Sequence, residues 1–294
     1  MLCVKCGLVW VDPQPANDDI EKFYSSEYRI KYKGAFHPKP KHCYRETLRA
    51  IDRAARFLPV YRSGMRALDI GAGAGFFAYV LKRKGILIDG IEPNEEYANY
   101  ARAELKLDTI RTGFLKDIAA KNLYDLITIN HVFEHLQDPR QAMMQMHKLL
   151  NEGGRILMEV PNIEATYHAP NKTFHVGHLF WYNPATIRAL AMQLGFTVDD
   201  MQIVPGTRHI NIILRKANQH ASEAEINAIL SGNADYILAI LRHHTISRHY
   251  LSPVPYLRFF KKMRQYSKER SYVKNFHSGA TIVDSVCSKW LTTL

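Results

Sequence analysis

A glycine cluster with an acid on either side constrains this chain more than any other feature. Arg66–Ile70 (RALDI) is a short apolar run that enters Gly71-Ala-Gly-Ala-Gly75 without a spacer. Phe76–Lys84 then has helical character and is closed by Gly85, and Ile86–Glu92 is a second apolar run stopped by Pro93. Strand, glycine turn, helix and strand in that order make a parallel βαβ unit. Its glycines let backbone come close to a ligand beside the free N–H groups of a helix start.

The alternation continues along the chain. Asn94 is placed to cap a helix over Glu95–Leu107, with Glu95 and Glu96 in the first turn, where the helix dipole favours anions. Thr109–Thr112 reads as a weak strand, Tyr124–Asn130 (YDLITIN) as a strong one and Arg155–Val160 as a fifth, after a helix that Asp138-Pro139 opens. Pro161–Tyr182 is an irregular stretch rich in His and aromatic residues. Asn183-Pro184 opens another helix, and strands near Phe196–Val204 and Ile210–Arg215 follow. The expected fold class is α/β: a Rossmann-like seven-stranded sheet with helices on both faces, and helical appendages at each end. The division is 1–64, 65–217 and 218–294. A leader helix is expected over Tyr44–Leu58, and tail helices over Glu223–Leu241 and Tyr256–Lys274.

The residues around the glycines narrow the ligand. Where a dinucleotide fingerprint needs its third glycine, this chain has Phe76, which argues against NAD. Asp69, just before the loop, is out of place for a pyrophosphate but suits a cationic ligand. Glu92, at the end of the second strand, can take both hydroxyls of a ribose. Two acids beside an electropositive helix end suit a nucleoside carrying a sulfonium.

LDIGAGAGFF, IEPN and YDLITINHVFEHLQDP…LLNEGGRILMEVPN together resemble class I S-adenosylmethionine-dependent methyltransferases over about residues 65–215. The resemblance implies S-adenosyl-L-methionine as cofactor. It also implies that Asp69, Gly71, Gly73 and Gly75 line its methionine end, that Glu92 holds the ribose, and that Leu115, Asn130 and His131 flank the adenine. The leader, CVKCGLVWVDPQP followed by Phe23-Tyr24 and Tyr28, resembles the start of sugar C-methyltransferases and of methyltransferases from polysaccharide gene clusters. In that group a second Cys pair precedes the first and completes a four-thiolate zinc site; the sequence given starts too late to contain it. Cys3 and Cys6 supply two ligands of the four such a site needs. Cys43, His42 or His37 are candidates for the rest, and a truncated knuckle is the alternative.

Methyl transfer needs a base only when the acceptor must lose a proton. His175 and His178 in FHVGHLFWYNP follow the fifth strand, and a neutral imidazole can accept such a proton near pH 7. His178 is the stronger candidate because family members have a comparable H-x-x-H-L stretch. The other reading is that these side chains tie the irregular stretch to the sheet. Glu134-His135 either fixes the loop after the fourth strand, positions an acceptor, or holds a divalent ion as an E-H pair does in some quinone O-methyltransferases; no residue is assigned to a metal. Phe174, Phe180, Trp181 and Tyr182 form either an aromatic wall or ordinary core.

Asn130-His131-Val132-Phe133 is not the N-P-P-Y type that grips a planar amino group. No Pro-Cys dipeptide occurs, and no Cys lies between residues 44 and 286, so the core has no C5-cytosine nucleophile. The net charge of +11 divides unevenly: 12 basic and 7 acidic residues in 1–64, 14 and 16 in 65–207, 13 and 5 in 208–294. The excess therefore belongs to the flanks, and a nucleic acid is not the expected partner. A small-molecule acceptor is expected, with a nucleotide-linked sugar or glycan intermediate as the main reading and a quinone- or lipid-type acceptor as the alternative. A non-catalytic module recruiting RNA or membrane is the reading from another class. The basic tail helix is either a solvated face or a peripheral membrane contact. Four cysteines, an N-terminus unlike a signal peptide, and no long apolar run lead to a cytoplasmic expectation. Oligomeric state is left open.

Overall fold

A computed structural model describes residues 1–27, 37–57, 60–119, 123–174 and 177–293. The strands are β1 (Val9–Trp10), β2 (Arg66–Ile70), β3 (Leu87–Glu92), β4 (Ile110–Thr112), β5 (Tyr124–Asn130), β6 (Leu150–Val160), β7 (Phe180–Trp181), β8 (Phe196–Ile203) and β9 (Ile210–Lys216). Seven of them form one sheet in the order β4-β3-β2-β5-β6-β9-β8, flanked by helices, and β1 pairs with β7. This is the Rossmann-like α/β architecture expected from the sequence.

The chain divides into two compact units, 15–119 with 261–294, and 1–14 with 120–260. In the first, β2, β3 and β4 run parallel, joined by helices Phe76–Arg83 and Glu95–Leu105. Asn94 caps the second of these by accepting the Tyr97 N–H at 3.1 Å. Helix Pro40–Phe57 buries Cys43, Thr47, Ala50, Ala54 and Phe57, one stripe at spacings of three and four residues. It packs on Phe76–Arg83 and on a C-terminal helix, Gly279–Leu291, which the sequence reading did not anticipate. Gly279 allows that approach, since a Cβ there would collide with Tyr100 Oη and Cys43 Sγ. Cys43 is a packed thiol beside Tyr100, pushed up by burial.

In the second unit β5 and β6 are parallel, while β9 runs antiparallel between β6 and β8. The β8–β9 turn holds Gly206 at φ +84°. The expected helix over Glu223–Leu241 is two helices, Glu223–Leu230 and Asn233–His243, because Gly232 sits at φ +70° between them. The leader's Cys3–Gly7 turn is closed by the Gly7 N–H to Cys3 carbonyl bond at 2.9 Å. Asn233 donates to the Cys6 carbonyl at 2.7 Å and accepts from Asn183 at 2.7 Å, fastening that turn to the start of helix Pro184–Gln193.

Candidate active site

In the first unit the site is built at the C-terminal ends of β2 and β3. Gly71, Gly73 and Gly75 all have positive φ, at +71°, +58° and +81°. A side chain at Gly75 would also meet Leu107 Cδ1 at 2.7 Å, so glycine is required there on two counts. The turn is held by the N–H groups of Gly71 and Ala72, which donate to the Ile91 carbonyl at 2.8 and 3.0 Å. The Gly73 N–H donates to Glu92 Oε2 at 2.8 Å, and the Asn94 N–H to Glu92 Oε1 at 3.2 Å. The Gly73 N–H is thus engaged by a carboxylate, as befits a ligand without phosphate here.

Asp69 and Glu92 are each only 3 % exposed. Tyr61 Oη is buried without a hydrogen-bond partner, and burial together with Asp69 pushes its pKa up. An orphaned hydroxyl and two buried carboxylates fit a ligand with one cationic and one hydroxyl-bearing end. Asn94 also donates to the Ser25 carbonyl at 2.8 Å, fastening the π-helical turn Phe23–Glu27 to this edge. Leu115 is buried and starts a 3₁₀ turn closed by the Phe114 N–H to Asp117 Oδ2 bond.

The second unit gathers imidazoles and carboxylates where β5, β6 and β9 meet. Asn130 ends β5, and its Oδ1 is buried and accepts no hydrogen bond. His131 follows at φ +54°, with its N–H on the Glu159 carbonyl at 2.8 Å. Its ring lies between two acids, with Nε2 2.7 Å from Glu159 Oε1 and Nδ1 3.6 Å from Glu134 Oε1. Burial pulls the His131 pKa down, but the two glutamates more than offset it and lift it to about 9.

Glu134 is 1 % exposed, and neither carboxylate oxygen accepts a hydrogen bond. Burial pushes its pKa up, yet the surrounding imidazoles His135, His131 and His178 bring it to about 2. Its Oε1 lies 3.8 Å from His135 Nε2 and 4.0 Å from His178 Nε2. His135 Nδ1 is 2.6 Å from the Gly177 carbonyl and must donate to it, which leaves Nε2 turned toward Glu134. The Glu134 carbonyl accepts the Leu179 N–H at 2.9 Å, so this residue both pins the irregular stretch and carries the central carboxylate. The rings of His135 and His178 meet edge to face at 4.9 Å. Among the described residues two trios can each present one ligand atom within 4.8 Å of the others: Glu134, His135 and His178, and His131, Glu159 and His209. Cys3 and Cys6 belong to neither. His175 lies outside the described residues.

The sequence reading had not singled out Tyr61, Glu159 or His209. Glu159 does stand in MEVPN at the end of β6, where an acid is out of keeping with its apolar neighbours. His209 has no such signal. It reaches Glu159 (Nδ1 to Oε1, 3.7 Å) only because β9 pairs antiparallel with β6.

Residues 42–200, more than half the chain, match the family model described as a methyltransferase domain. The chain belongs to this family. Among curated proteins it is similar to ubiquinone biosynthesis O-methyltransferase of Vibrio atlanticus, at 29 % identity over 106 residues, covering 34 % of this chain and 44 % of that protein. The same enzyme of Pectobacterium carotovorum is 26 % identical over 108 residues, covering 35 % and 45 %. The chain thus spans less than half the length of the curated relatives it matches.

Among solved structures it resembles the magnesium protoporphyrin IX methyltransferase of Synechocystis with bound S-adenosylhomocysteine (SAH). The TM-score is 0.53 at 13 % identity, covering 69 % of this chain and all of that one. It also resembles the complex of a Haloferax volcanii methyltransferase activator with its methyltransferase, with a TM-score of 0.52 at 15 % identity and coverage of 69 % and 100 %. By family, then, the chain carries a methyltransferase domain, and its fold is the one these solved methyltransferases share.

Proposed function

We propose that this chain methylates a hydroxyl oxygen of a small-molecule acceptor, with Glu134, His135 and His178 preparing that oxygen. The reading is carried by one observation: a buried carboxylate without hydrogen bonds, faced by three imidazole nitrogens at 3.6–4.0 Å. S-adenosylmethionine, when bound, supplies an electrophilic methyl on a sulfonium. Glu92, which also accepts from the Gly73 and Asn94 N–H groups, accepts the ribose hydroxyls. Asp69 faces the cationic methionine end with Gly71, Gly73 and Gly75. Leu115, Asn130 and His131 are the adenine neighbours we assign, Asn130 through its buried Oδ1. His178 takes the acceptor proton, with His175 as a second candidate, and Glu134 stabilises the imidazolium that results. Positioning supplies much of the remaining acceleration.

A second reading adds a divalent ion on Glu134 Oε1, His135 Nε2 and His178 Nε2. The bond from His135 Nδ1 to the Gly177 carbonyl turns Nε2 toward Glu134 Oε1, 3.8 Å away, so that a cation between them would be held by both. Such an ion would lower the pKa of an acceptor hydroxyl as a Lewis acid.

The names of the relatives speak for a quinol acceptor, and the Cys-containing leader for a sugar. The three-part division at 64/65 and 217/218 is retained as a proposal about roles, with the leader and tail governing the acceptor. Labelled-methyl transfer against a catechol or quinol panel, nucleotide sugars and RNA tests the reading. It predicts an O-methyl product from one of the first two groups; a C-methyl product or label in RNA would refute it. Loss of turnover in EDTA, restored by magnesium or zinc, selects the metal-assisted form.

A further inference from the structure

The tail helix Val254–Val273 turns its apolar side away from the protein. Arg258, Gln265, Glu269 and Tyr272 form its packed stripe: Arg258 donates to the Tyr167 carbonyl at 2.8 Å, and Gln265 and Arg45 both bond Glu269. On the opposite side Tyr256, Phe259 and Met263 recur at spacings of three and four residues, and Tyr266 follows with its ring against the Arg45 guanidinium. All are exposed, as are Leu257 and Phe260 beside them, at 66 % and 63 %. Tyr256 Oη donates to the Tyr250 carbonyl, which joins exposed Tyr250 and Leu251 to the same surface.

Large exposed apolar faces on a soluble fold mark a docking surface, and the charges identify its occupant. Exposed Lys261, Lys262, Arg264 and Lys268 flank the apolar stripe, and exposed Arg270 ends its row four residues past Tyr266. From Ile246 to Lys274 the one acid is Glu269, buried against Arg45. Apolar rings along the centre with cations at the margins match the depth profile of a bilayer surface, where rings enter the acyl boundary and cations meet lipid phosphates. A nucleic acid would call for cations along the centre of the face. No helix among the described residues is long and apolar enough to cross a membrane, so the contact lies in the plane of the surface.

We propose that this outward face seats the protein on an anionic membrane surface. The test is flotation of the full chain with phosphatidylcholine vesicles and with vesicles that also contain phosphatidylglycerol. Binding should be at least about tenfold stronger on the anionic vesicles and should fall with added salt. Lys261→Ala/Lys262→Ala should weaken it about twenty-five-fold, at about fivefold per cation. Phe259→Ser/Phe260→Ser should abolish it, with circular dichroism and Tm unchanged because both rings are exposed. Equal binding to neutral vesicles, or full binding by the phenylalanine pair variant, overturns the proposal. So does light scattering that shows a dimer dissolved by that variant, or RNA binding lost with the same lysines in place of vesicle binding.

Discussion

Glu92 accepts the backbone N–H of Gly73 at 2.8 Å, so the acid that ends β3 also shapes the glycine turn that follows β2. The carboxylate holds the loop, and the role we propose for it is to hold the ribose of the cofactor as well. Glu92→Ala is predicted to weaken S-adenosylmethionine binding by one to two orders of magnitude. Glu92→Gln should lie between, since its amide retains only part of the acceptor capacity. Calorimetric affinity equal to the wild type in the alanine variant would remove Glu92 from the cofactor site.

Arg45 and Glu269 form a two-pronged ion pair, both N···O distances 2.6 Å, with Glu269 3 % exposed at the side chain. Removing one partner strands a buried charge, so Arg45→Ala is predicted to cost about 3 kcal/mol of stability at pH 7. Burial raises the Glu269 pKa, but Arg45 and Gln265 bring it below the usual carboxylate range. The pair's contribution is therefore present above the unfolded carboxyl pKa and is lost as pH falls through the folded one. Urea melts at pH 7 and pH 3 check this: the deficit of the variant should shrink at the lower pH, and a pH-independent deficit would contradict it.

His131 titrates in the opposite sense. Its pKa of about 9 stands above the unfolded value, so its contribution is complete below about pH 6.5 and is lost as pH rises through 9. With chelator present, wild type should lose about 3 kcal/mol more than His131→Gln between pH 6.5 and 9.5. Parallel stability profiles for the two proteins would show that Glu134 and Glu159 do not hold an imidazolium.

The strands that frame the site were legible in the sequence. Tyr124–Asn130 matched residue for residue because YDLITIN is a continuous apolar run with a turn after it, and the glycine loop fell in register with β2. Long-range convergence was not legible. Glu159 and His209 stand far apart in the chain, and only the pairing of Val160 with Ile210 brings them together. Helix Gly279–Leu291 was missed although Ile282, Val283, Val286 and Cys287 form a buried stripe, because a short helix gains its stability from a partner, here Pro40–Phe57, that pattern alone does not reveal. The apolar residues of Val254–Val273 were visible in the sequence, but the side they face was not.

The central claim is that Glu134 and His178 act on the acceptor and not on the cofactor. Turnover with an identified hydroxyl acceptor, measured beside cofactor affinity for Glu134→Gln and His178→Ala, tests it most directly. The prediction is a fall in kcat of roughly 10²–10⁴-fold with S-adenosylmethionine affinity unchanged. Wild-type kcat in His178→Ala, or loss of cofactor binding in step with kcat, would contradict it.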